Sequence, residues 1–212
     1  MERNKQAETW ASEFGNEYTK RNDLTREALD DLYKKNFGIS RTELNKEFLS
    51  GLNKEIKILE VGCNTGMQLV NLRKLGFKNL TGIDVSKSGL SIAKKNLPET
   101  NLKEASALDI PFSDNEFDLV FTSGVLIHIN PNNLDKVIDE VYRTSKKYIW
   151  CYEYFSEKLE EIEYRGNKNM LWKNNFLKLF LDKYPNLKIV KEKKLKYKDN
   201  NNLDIMFLLE KG

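Results

Sequence analysis

Glu60, Gly62, Asn64 and Gly66 alternate along Glu60-Val61-Gly62-Cys63-Asn64-Thr65-Gly66, and Asp84 closes a second apolar run about twenty residues later. Residues of these types at this spacing suit a nucleoside. The apolar stretch 56–61 reads as a buried strand feeding small residues at a tight turn, and 67–75 then carries helical apolar spacing. Backbone passes close to a ligand at such a turn. Gly62 and Gly66 supply the missing Cβ and the tolerance for positive φ, and the helix start beyond them offers unpaired N–H groups. Asp84, followed by Val85, ends the next strand, where a carboxylate can accept hydrogen bonds from both hydroxyls of a ribose.

A loop that binds the pyrophosphate of a dinucleotide would read Gly-x-Gly-x-x-Gly, whereas here a carboxylate, Glu60, stands at the strand's end. Glu60 would repel a diphosphate; S-adenosylmethionine carries no phosphate and presents an ammonium and a sulfonium. The stretch around Glu60, Gly62, Cys63, Asn64 and Gly66 resembles motif I of class I S-adenosylmethionine-dependent methyltransferases. Members usually have Gly at the position of Asn64, and Asn tolerates left-handed φ better than most residues. The same resemblance places Asp109 on the adenine amino group, with Ala107 and Leu108 against the ring, and puts Ser123 and Gly124 beside the methionine portion. Enzymes that methylate amino groups of bases or glutamine amides carry an Asn-Pro-Pro-Tyr type motif after the fourth strand. This chain has Thr122-Ser123-Gly124-Val125 there, so base and glutamine methylation are not expected.

To bring those strand ends together the chain must form an α/β sheet. Strand patterns fall at 56–61, 79–83, 102–104, 117–122, 148–155, 187–196 and 203–209, and helical patterns at 67–75, 86–96, 132–145 and 171–184. The expected fold is a doubly wound, seven-stranded, Rossmann-like methyltransferase sheet with right-handed crossovers and an antiparallel last strand in a terminal hairpin. The first fifty or so residues read as helical, giving a cap over residues 1–52 and a core over 53–212. With 40% apolar residues, 212 residues can bury a core of their own, and a net charge of +3 leaves no strong footprint for nucleic acid. The basic run 191–198 alternates as the solvated face of a strand would. Two cysteines and one histidine support neither a disulfide framework nor a metal site. No apolar run has the length of a membrane span, which makes the cytoplasm the default location.

Trp10, Phe14 and Tyr18 form one aromatic stripe at helical spacing, followed by Arg21 and Asn22. Two readings stay open: plain packing, or a lid in which Tyr18, Arg21 and Asn22 meet the cofactor, Arg21 through its carboxylate. The stretch from Glu13 to Asn22, Val125-Leu126-Ile127-His128-Ile129-Asn130-Pro131, Glu153-Tyr154-Phe155 and Tyr164-Arg165-Gly166 resemble the methylases associated with pseudaminic acid biosynthesis. The resemblance runs nearly the whole length and implies a surface-glycan context, with a nonulosonic acid or sugar nucleotide as acceptor. Relatives often carry Arg or Lys followed by Asp where Asn174 and Asn175 stand here, so no acid-dependent role is expected at that spot. His128, the single group whose ordinary pKa lies near neutrality, is either the base that deprotonates a hydroxyl or amine acceptor or a structural residue. Glu153, Tyr154, Tyr164 and Arg165 are candidate acceptor contacts, Arg165 for an acid group. Two other readings remain: methylation of a different small anionic metabolite, and a non-catalytic cofactor-binding partner protein.

Overall fold

The computed structural model describes residues 5–212, and side chains from residue 8 onward. Seven strands, β1 (Lys57–Val61), β2 (Asn79–Asp84), β3 (Asn101–Glu104), β4 (Phe117–Ser123), β5 (Ser145–Phe155), β6 (Leu187–Lys196) and β7 (Leu203–Lys211), form one sheet. Its order is β3-β2-β1-β4-β5-β7-β6. The first five strands are parallel, and β7 runs antiparallel between β5 and β6. β1 pairs with β2 on one side and β4 on the other, so the strand order reverses there and leaves a crevice at the strands' carboxyl ends.

Helices α5 (Met67–Lys74), α6 (Lys87–Asn96), α7 (Pro131–Thr144) and α8 (Phe176–Lys183) cross between strands. Helices on both faces account for the composition of β1, where Ile58, Leu59 and Val61 are wholly buried in a near-continuous apolar run. α1 (Lys5–Trp10), α2 (Glu13–Asn22), α3 (Arg26–Phe37) and α4 (Arg41–Leu49) precede the sheet. α4 starts at a reciprocal cap between Ser40 and Glu43 and packs Leu44, Phe48 and Leu49 into the core beside Ile58 and Leu119. α1 and α2 instead lie over the crevice. Asn16 Oδ1 accepts from Ser88 Oγ at 2.6 Å, and Thr19 Oγ1 meets both Asn64 Nδ2 at 3.1 Å and Ser86 Oγ at 3.4 Å.

Within the terminal hairpin β7 is core, with Ile205 through Leu209 at most 1% exposed, whereas Ile189 and Val190 of β6 are exposed. β6 is the sheet's edge; two lysines of the basic run, Lys191 and Lys193, pair with Glu47 at 3.0 and 2.7 Å. Two boundaries of the sheet and its crossing helices differ from the expected ones by three residues or more. β5 begins at Ser145, directly after α7. α8 begins at Phe176 instead of 171, because Trp172–Lys173 pairs with Glu160–Glu161 and Asn175 caps the helix by accepting from Lys178 N at 3.0 Å. Leu171 and Trp172 are buried in that ladder, and their apolar character imitated helical spacing. No helix among the described residues is long and apolar enough to cross a membrane.

Candidate active site

The turn after β1 is tied to β2 by two bonds to one carbonyl: Gly62 N and Cys63 N donate to Ile83 O at 2.8 and 2.9 Å. Gly62, Asn64 and Gly66 all have positive φ, at 75°, 43° and 74°. At Gly62 a Cβ would also fall 2.5 Å from Val125 Cγ2, so the turn needs glycine both for conformation and for space. Asp84 then braces the turn. Its Oδ2 accepts from Asn64 N at 2.8 Å and its Oδ1 from Ser86 N at 2.7 Å. Burial raises the Asp84 pKa above the ordinary range, opposed by those backbone donors.

Glu60 is 3% exposed, and no hydrogen-bond partner among the described residues meets its Oε2. Burial pushes its pKa well above the usual value, with Arg41 pulling it down and Asp84 pushing it further up. Asn64 Oδ1 is likewise buried without a partner. Both atoms are shut off from solvent, and Asn64 Oδ1 lies against α6, where a Cβ on Gly89 would sit 3.1 Å from it.

These groups open into a cavity of about 420 Å³, a volume ordinary for small-molecule sites. Its wall contains Tyr18, Asn22, Glu60, Gly62, Cys63, Asn64, Asp84, Val85, Ala107, Leu108, Ser123, Gly124, His128, Tyr154 and Tyr164. Five of the expected site residues lie elsewhere. Gly66 caps α5 and lets α6 approach, since a Cβ there would sit 3.0 Å from Ala93 Cβ. Arg21 is exposed on α2 and forms no part of the wall. Asp109 is exposed too, with its backbone N bonded to Ser106 O at 3.1 Å, and Ser106 stands in the wall instead. Arg165, with φ 52°, is at the exposed tip of the tight turn closed by Tyr164 and Asn167. Glu153 is wholly buried and outside the wall.

Glu153 acts on the loop after β4. It accepts from Thr122 Oγ1 at 2.8 Å, Val125 N at 3.2 Å and Ile127 N at 3.3 Å, and so pins the single 3-10 turn Leu126–His128. Burial lifts its pKa to about 7, against the lowering effect of those donors. A carboxyl whose folded pKa lies above its unfolded 4.5 contributes stability that is full below 4.5 and lost as pH rises through 7. Glu153→Gln removes that titration. The wild-type minus Gln unfolding free energy, from urea melts, should therefore fall by about 3 kcal/mol between pH 5 and 8. A difference that stays flat over this range would show that Glu153 titrates normally.

The turn held by Glu153 presents His128. Its Nδ1 donates to Met170 O at 2.8 Å, which leaves the lone pair on Nε2. The ring packs within 4.6 Å of Trp10, 5.3 Å of Tyr164 and 5.9 Å of Tyr18, centroid to centroid. Burial among these rings lowers the His128 pKa to about 4, with the Met170 carbonyl opposing, so the imidazole is neutral at neutral pH. The aromatic stripe of the N-terminal helices thus closes over the one histidine.

Of the far half of the cavity the sequence pointed to Tyr154 alone. Tyr33, Tyr152, Tyr197 and Asp204 line it together with Tyr154. Below them Arg41, 0% exposed, donates to Tyr33 OH at 2.9 Å, Asn45 Oδ1 at 2.9 Å and Ser123 Oγ at 3.1 Å, and stacks 4.3 Å over the Tyr152 ring. One signal was available: Asp204 is an acid within the apolar run of β7.

Residues 59–151 match the family model described as a methyltransferase domain. An uncharacterized methyltransferase of Synechocystis is 37% identical over 90 residues, 42% of this chain and 42% of that protein. The chain thus spans about two-fifths of that relative's length. Among solved structures, a Pyrococcus horikoshii protein superposes with TM-score 0.71 at 16% identity, covering 95% of this chain and 99% of that one. A Burkholderia thailandensis 1,6-didemethyltoxoflavin-N1-methyltransferase with bound S-adenosylhomocysteine gives TM-score 0.71 at 13% identity, over 97% and 88%. Residues 59–151 thus match a methyltransferase domain, and the seven-stranded sheet has the fold of these solved structures.

Proposed function

We propose that this protein transfers a methyl group from S-adenosylmethionine to a hydroxyl or amine of a small, carbohydrate-derived acceptor in the cytoplasm. The observation that carries the reading is the glycine turn after β1, which brings the carboxyls of Glu60 and Asp84 into one cavity wall. They complement the ammonium and ribose hydroxyls of this cofactor and would oppose a pyrophosphate. Asp84 would hold the ribose, Glu60 the ammonium end, and Ala107 and Leu108 the adenine face. When bound, S-adenosylmethionine supplies an activated methyl on a sulfonium. The protein's own work is then alignment, exclusion of water by Trp10 and Tyr18 of the covering helices, and removal of the acceptor's proton. His128, whose Nδ1–H is held by the Met170 carbonyl and whose ring lines the cavity, is the base we assign to that proton. The phenol-rich far half supports an acceptor bearing several hydroxyls, and the family resemblance favours a nonulosonic acid or a sugar nucleotide of surface-glycan synthesis.

The direct test is incubation with methyl-labelled S-adenosylmethionine and a cell extract split into small-molecule and macromolecular fractions, followed by mass spectrometry of both. Label in a sugar derivative supports the full reading, label in another metabolite removes the glycan assignment, and label confined to macromolecules overturns the small-molecule claim. For the base, His128→Ala should lower turnover about 100-fold at unchanged cofactor affinity. Full turnover in that variant would return His128 to a structural role.

A further inference from the structure

Asp204, the first buried residue of β7, is 2% exposed and still reaches the cavity wall. Its Oδ2 accepts from Tyr152 OH and from Tyr197 OH, the latter at 3.2 Å, while no hydrogen bond among the described residues reaches Oδ1. Aromatic side chains surround it. Tyr33 packs 5.5 Å from Tyr152, and Phe37 packs 4.5 Å from Tyr197, both from α3. Burial lifts the Asp204 pKa to about 6, with the two phenols and Arg41 lowering it, so the carboxylate is ionised at neutral pH.

Among the described residues the whole cavity wall contains three carboxyls, Glu60, Asp84 and Asp204, and neither Lys nor Arg. Arg41 offers no substitute, because it lies beneath the wall and each of its three guanidinium nitrogens already donates to a side chain. An anionic group brought to Asp204 would lose its hydration and meet like charge, while Arg41 and Lys173 act on that carboxyl only from outside the wall. A carboxylate oxygen that meets the cavity with no donor from the described residues has the opposite requirement, and faces of Tyr and Phe add attraction for an ammonium.

Resting on the methyltransferase reading for the identity of the near half, we propose that the far half is an acceptor chamber whose selectivity is set by Asp204. Its ligand presents to Asp204 a hydrogen-bond donor, an ammonium or a hydroxyl, and no negative charge. Any carboxylate or phosphate on the same molecule stays outside this chamber.

The test uses ligand-observed NMR on the full chain, with and without S-adenosylhomocysteine, against shape-matched fragments divided into amines, alcohols and carboxylates. Amines and alcohols should bind the wild-type protein and carboxylates should not. Asp204→Asn, close to isosteric, should weaken amines about tenfold and alcohols less, since a charge-assisted bond loses more than a neutral one. Tyr197→Phe, which keeps the carboxylate, should retain the class preference, and thermal melts of both variants report on folding. Amines losing more than alcohols in Asp204→Asn identifies the ammonium as the natural donor; the reverse identifies the hydroxyl. The proposal is overturned if carboxylates bind as well as matched amines, if Asp204→Asn keeps the wild-type profile, or if no class binds. Calorimetric binding of S-adenosylhomocysteine is read separately. Its absence would remove the methyltransferase reading while leaving the fragment selectivity to stand or fall alone.

Discussion

Asp84→Ala is expected to bind S-adenosylmethionine about 1000-fold more weakly than the wild type. A carboxylate that accepts from both ribose hydroxyls makes two charge-assisted hydrogen bonds, each contributing about 2 kcal/mol, and their sum converts to that ratio. The structure adds a second route to the same loss. Asp84 already accepts from Asn64 N and Ser86 N, so its removal also frees the glycine turn from β2 and leaves two backbone donors to find water. Asp84→Asn separates the routes. Asparagine keeps the shape and one acceptor oxygen, so it should retain much of the turn while losing most of the charge-assisted affinity. Calorimetry with S-adenosylhomocysteine measures all three proteins. Affinity of Asp84→Ala within about threefold of wild type would remove the ribose assignment.

What the sequence disclosed about this site follows a physical rule. Gly62 and Asp84 act through backbone geometry that is local to a strand and its turn, so residue type and spacing sufficed to find them. The same holds for the sheet, whose strands alternate with helical segments, and for the antiparallel β7, which a short polar loop joins to β6. Side chains that meet across the chain left no such trace. Arg41 and Ser123 are 82 residues apart, and Tyr152 and Asp204 are 52 apart, with no periodicity linking either pair. Arg41 falls in a short helix of largely polar composition, where it looks like any solvated cation.

Two acceptor contacts expected from sequence show the complementary failure. Glu153 and Arg165 have the right chemistry beside the right strand, yet what decides their role is where the backbone carries them. The turn after β4 folds back so that its N–H groups converge on Glu153, which burial then removes from any ligand. Arg165 and Gly166 both adopt positive φ, at 52° and 76°, and this tight turn points the arginine's position outward. Such turns become legible only once Tyr164 and Asn167 are known to pair. His128 was found by type alone, and the aromatic rings that lower its pKa came from helices far upstream.

Arg41→Leu is expected to cost about 4 kcal/mol of stability, from three hydrogen bonds made by a charged donor at about 1.5 kcal/mol each. Leucine fills much of the volume, so the loss is electrostatic rather than a cavity. Tyr33 OH, Asn45 Oδ1 and Ser123 Oγ each lose a donor, and Glu60 and Asp204 lose the cation that favours their ionised forms. Arg41→Lys should recover little, because one ammonium cannot reach three divergent partners or stack flat on Tyr152. The sign of the pH dependence follows from the acids. Asp204, already raised to about 6 by burial, moves higher without Arg41, and Glu60 with it. The folded variant therefore holds protons that its unfolded chain releases, and its deficit against wild type grows as pH rises from 5 to 8. Urea melts at both values check this. A deficit equal at the two pH values would mean that Arg41 contributes packing and hydrogen bonds alone, and that the carboxyls around the cavity are tuned by burial rather than by the cation beneath them.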